Sequence, residues 1–131
     1  MESSINIGKK LAVIGSRDFD DYNLLATLLI KHEPRLVVSG GANGADELAN
    51  RFCREYGKPI LIFYPDWHGL GKKAGHIRNT MIVEMCEEVL AFQVNKSRGT
   101  QDSINKAREL NKKVYLYEFN SDDTKNEDFG F

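Results

Sequence analysis

Short unbroken apolar runs alternate along this chain with stretches in which apolar residues recur every three or four positions. The unbroken runs fall at residues 11–14, 36–38, 59–63, 89–92 and 114–117, each the length of a strand covered on both faces. Leu24, Leu25, Leu28 and Leu29 mark a first helix, capped by Asp20 or Asp21 and stopped by Pro34. Ala45, Leu48, Ala49, Phe52, Cys53 and Tyr56 form the stripe of a second, and Gly57 closes it. A third helix is expected over 76–86 with Ile77, Met81 and Met85 facing inward. A fourth covers 100–111 with Ile104, Ala107 and Leu110 inward. Residues 64–75 read as one long loop, and loops of that size are often functional.

Strict alternation of strand and helix predicts an α/β fold: a single doubly wound, mostly parallel five-stranded Rossmann-like sheet with helices on both faces. The right-handed crossover rule favours the strand order 3-2-1-4-5. One domain spans 1–120, and the acidic segment 121–131 reads as a disordered tail. Ligands of such sheets sit outside the carboxyl ends of the strands, where the strand order reverses.

Three glycine turns converge on that edge. Ser39, Gly40, Gly41 and Gly44 precede a helix that opens with Asp46; Gly15, Ser16 and Arg17 follow the first strand; Ser97, Arg98, Gly99 and Thr100 follow the fourth. Glycines bring bare backbone close to a guest, and a helix start presents free N–H groups, so the natural guest is a phosphate. Arg17 and Arg98 are placed to grip it bidentately, or to remain solvated. Ser16, Ser39 and Thr100 donate hydroxyl bonds to it, or cap helices. Asp46 either reaches a ribose hydroxyl or complements its helix dipole, and Asp18 either reaches the ribose too or caps its own helix. Arg78 and Asn79 open the third helix and reach over the sheet edge. Trp67 stacks on a base or packs its loop.

Composition narrows the partners. The 131 residues carry a net charge of −1, without the basic excess of a sequence-independent nucleic-acid binder. On that ground nucleic acid is disfavoured as a partner. No apolar run reaches the roughly 20 residues that span a bilayer, no secretory pattern opens the chain, and a cytoplasmic protein is expected. Cys53 and Cys86 are read as two buried thiols. His68 and His76 lack companions at ligand spacing, so no metal and no cofactor are expected. Self-association into a homo-oligomer stays open.

The motifs Gly15-Ser16-Arg17-Asp18-Phe19, Ser39 to Asp46, Pro65-Asp66-Trp67, Gly75-His76-Ile77-Arg78-Asn79 and Ser97-Arg98-Gly99-Thr100, in this order, resemble the YspA-like, YpsA-related branch of the SLOG superfamily. That superfamily joins the DNA-processing protein A domain with the "lonely guy" phosphoribohydrolases. The resemblance covers roughly residues 11–117 and implies a Rossmann-like domain that binds a nucleotide or nucleotide-derived small molecule, as a sensor or sequestering module. A nucleotide N-glycosidase is the alternative. Arg78 matches the hydrolases' arginine, and Asp102 stands where they carry glutamate, in a turn lacking their paired glycine. The stretch from Gly41 to Asp46 resembles the DNA-processing protein instead, which makes single-stranded nucleic-acid binding a distant third reading.

Overall fold

The computed structural model describes residues 8–121. Five strands, β1 (Lys10–Gly15), β2 (Leu36–Gly40), β3 (Ile60–Phe63), β4 (Glu88–Val94) and β5 (Lys113–Phe119), form one sheet. Its order is β3-β2-β1-β4-β5, and every neighbouring pair is parallel. This is the doubly wound Rossmann-like arrangement expected from the alternation of runs. The order reverses beside β1, so the turns after β1 and β4 open away from one another and leave a crevice.

The helices are α1 (Tyr22–His32), α2 (Ala45–Tyr56), the single-turn α3 (Trp67–Leu70), α4 (Ala74–Met85) and α5 (Arg98–Glu109), with a 3-10 turn at Gly71–Lys73 joining α3 to α4. Asp21, rather than Asp20, caps α1 by accepting from the Leu24 amide at 3.0 Å. Gly57 ends α2 in the left-handed region at φ 66°, a conformation that costs glycine nothing.

Alternation along the strands sends successive side chains to opposite faces. Leu11 and Val13 enter one core with Leu25, Leu29, Phe52 and Phe92. Ala12 and Ile14 enter the other with Ile82, Val83, Ile104 and Ala107. Helices α1 and α2 therefore cover one face, and α4 and α5 the other. Phe19 carries this packing into the turn after β1: it is 4% exposed and stacks on Phe92 at 4.4 Å. Burying a side chain of that size contributes about 1.5–3 kcal/mol, enough to pin the turn bearing Ser16, Arg17 and Asp18.

Two packing expectations are corrected. Ile77, Met81 and Met85 lie outward on α4, and its buried face is Ala74, Asn79, Ile82 and Val83. The helix carries apolar residues on both sides, and the contact with β2 and α5 selects the side with the small Ala74. Leu110 follows the end of α5 and is half exposed, one turn beyond buried Ala107. Residues 64–75 are not one loop, since Asp66 caps α3 through the Gly69 amide at 2.9 Å. Cys53 and Cys86 are buried free thiols. Among the described residues no helix is long and apolar enough to cross a membrane. The segment called a disordered tail lies outside the described residues apart from Ser121.

Candidate functional site

The crevice beside β1 holds an open cavity of about 380 Å³. The end of β1 supplies Gly15, Ser16, Arg17 and Asp18; the loop before α2 supplies Ala42, and α2 supplies Asp46. Arg78, Asn79 and Ile82 come from α4, and Ser97, Gly99, Thr100 and Ser103 from the start of α5. All three glycine turns thus contribute to one wall or another.

Ser16 ties two of those turns together. Its hydroxyl accepts from the Val94 amide at 2.8 Å and lies 2.6 Å from Ser97 Oγ. Ser97 in turn donates to Thr100 Oγ1 at 2.9 Å. With the Ser97 proton committed, Ser16 is the donor to Ser97, since its 3.5 Å approach to the Val94 carbonyl is too long to compete. The chain of donors therefore ends at Thr100, whose own proton remains for a guest. Around it the first turn of α5 leaves backbone N–H groups without intrahelical partners. Hydroxyl, amides and helix dipole all favour an anion at this point.

Arg78 lines the same cleft. Its Nε donates to Asn79 Oδ1 at 2.9 Å, while its Nη1 is buried with no hydrogen-bond partner among the described residues. A buried guanidinium nitrogen left unpaired is costly, and an anion in the cleft would supply the missing acceptor. Asn79 is held by Asp102 Oδ2 at 3.1 Å and by the Gly99 carbonyl at 3.4 Å. Asp102 also accepts from Lys106 at 3.2 Å and lies 3.2 Å from His76 Nδ1. Partial burial works against its charge, but hydrogen bonds from Asn79, Lys106 and His76 outweigh it and hold the carboxyl below its ordinary pKa. Asp102 does not line the cleft; it stands behind Asn79, which orients Arg78.

Asp46 is 7% exposed, and its Oδ2 accepts from the Ala42 amide at 3.3 Å. Burial pushes its pKa up to about 7, against the opposing pull of the Ala42 amide and Arg78. It shares the carboxylate side of the cleft with Asp18, which is exposed.

The remaining nominated residues fall elsewhere. Ser39 is fully buried: its hydroxyl donates to the Val13 carbonyl at 2.7 Å and lies against the Asp46 carboxyl, so it supports the cleft from behind without lining it. Gly44 caps α2 at φ 77°, and a β-carbon there would press into the Ser16 and Arg17 carbonyls. It shapes the wall from behind. Gly40 and Gly41 border a smaller neighbouring cavity. Arg98 and Trp67 are exposed and line neither cavity. Ser103 was missed, although it lies three positions past Thr100 on the same helical face; Tyr64, on the smaller cavity, carries no phosphate-type signature. Among the described residues no group of three or more His, Cys, Asp or Glu is placed to hold a metal.

The fold is similar to that of DNA processing protein A from Helicobacter pylori, solved in a structure described for its unique single-stranded DNA binding mode. The TM-score is 0.59, with 21% identity over 88% of this chain and 68% of that one. DNA processing protein A belongs to the superfamily that the motifs resemble. This likeness overturns the expectation that nucleic acid is disfavoured as a partner. That expectation rested on net charge, which sums over the whole chain, whereas a bound strand meets the local field of the residues it touches. No family model matches the chain. Over 111 residues it is 32% identical to the Gene 61 protein of Mycobacterium phage D29, a match spanning 76% of this chain and 89% of that protein. On that shared length and identity, the chain belongs to the family of the phage D29 Gene 61 protein.

Proposed function

We propose that the crevice binds a nucleotide unit of single-stranded nucleic acid, gripping its phosphate. The observation that carries this is the buried Nη1 of Arg78, without a hydrogen-bond partner among the described residues, on a side chain that lines the same cleft as Ser16, Ser97 and Thr100. The phosphate would sit at the start of α5 and complete the guanidinium's hydrogen bonds. Arg17, exposed at the rim, would meet the next phosphate of the strand. The likeness to a single-stranded-DNA-binding fold supports a strand as the form in which the nucleotide arrives.

A second reading has its own support. A cavity of about 380 Å³ suits one nucleotide, which fits a sensor or sequestering module of the YspA-like branch. The N-glycosidase reading would require Asp102 to leave Asn79 and Lys106 and turn into the cleft, and nothing in the site draws it there.

Fluorescence anisotropy with a labelled oligothymidylate, competed by duplex DNA and by AMP, ADP and ADP-ribose, tests both. Binding of the strand that weakens steeply with salt and is lost in Arg78→Ala supports the first reading. Displacement of the strand by a mononucleotide at far lower concentration than by unlabelled strand would favour the second. Absence of binding to every probe would remove both.

A further inference from the structure

We infer that a second subsite, for the base next to the nucleotide held in the main crevice, lies across the loop between β2 and α2, with Tyr64 as its stacking platform. This rests on the strand-binding reading above and extends it from one nucleotide to two.

A cavity of about 160 Å³ adjoins the main one, and Ala42 and Asp46 line both. The two therefore share a wall, formed by Ala42 and Asp46. Tyr64 lines the smaller cavity. It directly follows β3, at the carboxyl edge of the sheet, and is 69% exposed. Its ring is seated against Gly41, where a β-carbon would overlap the Cδ1–Cε1 edge. Gly41 keeps a φ open to other residues, so its bareness serves the aromatic neighbour rather than the turn. An aromatic ring held in place yet largely open to solvent is what a base stacks upon, and such stacking tolerates any base.

The floor of the cavity is polar. Asn43 and Asn50 carry side-chain amides that make no hydrogen bond among the described residues, and Glu47 stands between them in sequence. Amides read base edges with paired donor and acceptor groups. A tyrosine placed only to seal the loop would instead turn its ring into the core and leave no polar hollow beneath it.

The test measures affinity of the full chain for 5′-dTMP, for the dinucleotide pdTpdT and for a decathymidylate, by isothermal titration calorimetry. In the wild type the second nucleotide should tighten binding by about tenfold or more. Tyr64→Ala should lose that increment while leaving dTMP affinity unchanged, and Tyr64→Phe should keep it. Asn50→Ala, in the lining of the same hollow, should lose part of it. Equal affinity of the wild type for dTMP and pdTpdT would overturn the subsite while leaving the crevice intact. So would an increment that survives in Tyr64→Ala, or one that Tyr64→Phe abolishes. Failure of the wild type to bind any of the three would overturn the strand-binding reading and the subsite together.

Discussion

The guanidinium of Arg78 lies directly over Gly40: a β-carbon at position 40 would overlap Nη1, approach Cζ to 2.9 Å and approach Asp46 Oδ2 to 2.9 Å. The last residue of β2 thus provides the floor on which the arginine of α4 rests. Substitution there separates function from folding, because the obstructed atoms are the far end of a flexible side chain and the backbone of Gly40 has no left-handed φ. Gly40→Ala should keep the melting temperature within about 4 °C, roughly 1 kcal/mol for a chain of this size. Arg78, displaced, should lose its grip on phosphate, and strand affinity should fall on the order of tenfold or more. Paired melts and anisotropy titrations check this, and a large melting shift with unchanged affinity would refute it.

Gly44 predicts the reverse. It holds φ 77° and abuts the backbone carbonyls of Ser16 and Arg17, which cannot swing aside as a side chain can. Left-handed backbone costs a residue with a β-carbon about 1–2 kcal/mol, and the collision adds to it. Gly44→Ala should lower the melting temperature by on the order of 8 °C or more. Weaker nucleotide binding would follow from that loss of the wall. Thermal melts with and without ligand distinguish this from a site that only the ligand needs.

Asp102 anchors Asn79, Lys106 and His76 across the α4–α5 joint without entering the cleft. Asp102→Asn should therefore weaken phosphate binding severalfold through a less constrained Arg78, and leave a folded protein. The readout that separates positioning from chemistry is a product assay with AMP, scoring ribose 5-phosphate and free base. Turnover by the wild type that vanishes in Asp102→Asn, with binding retained, would revive the hydrolase reading.

The strands and the glycine turns were legible because buried parallel strands read as continuous apolar runs and the turns lie at their ends. The strand order followed from the same alternation and the crossover rule. The outward face of α4 was not legible: Ile77, Met81 and Met85 compete with Ile82 and Val83 for the core, and periodicity cannot rank two apolar faces. Within the site, sequence could nominate Ser39 and Thr100 alike as phosphate donors. Only the fold separates them, by turning Ser39 onto the Val13 carbonyl and leaving Thr100 at the end of its donor chain. Tyr64 was passed over because its role depends on Gly41, 23 positions earlier, which no local pattern connects to it.

Asp46 should make both stability and binding depend on pH near neutrality. In the unfolded chain its carboxyl titrates at the ordinary 3.8, and burial raises it to about 7 in the fold. Between those values the folded state holds a proton that the unfolded state has released, so stability falls as pH rises through that window. Three units correspond to about 4 kcal/mol as an upper order of magnitude. Asp46→Asn keeps an acceptor for the Ala42 amide and removes the titration. Its stability relative to the wild type should therefore climb from pH 4 to pH 7 and level off above. Binding follows the same group: ionised Asp46 competes with a phosphate for Arg78, and protonated Asp46 does not. Affinity for the dinucleoside monophosphate TpT should decline as pH rises through about 7, and its phosphodiester does not itself titrate there. In Asp46→Asn the decline should disappear. A pH profile unchanged by the substitution would assign the titration to another group and would remove Asp46 from the cleft's electrostatics.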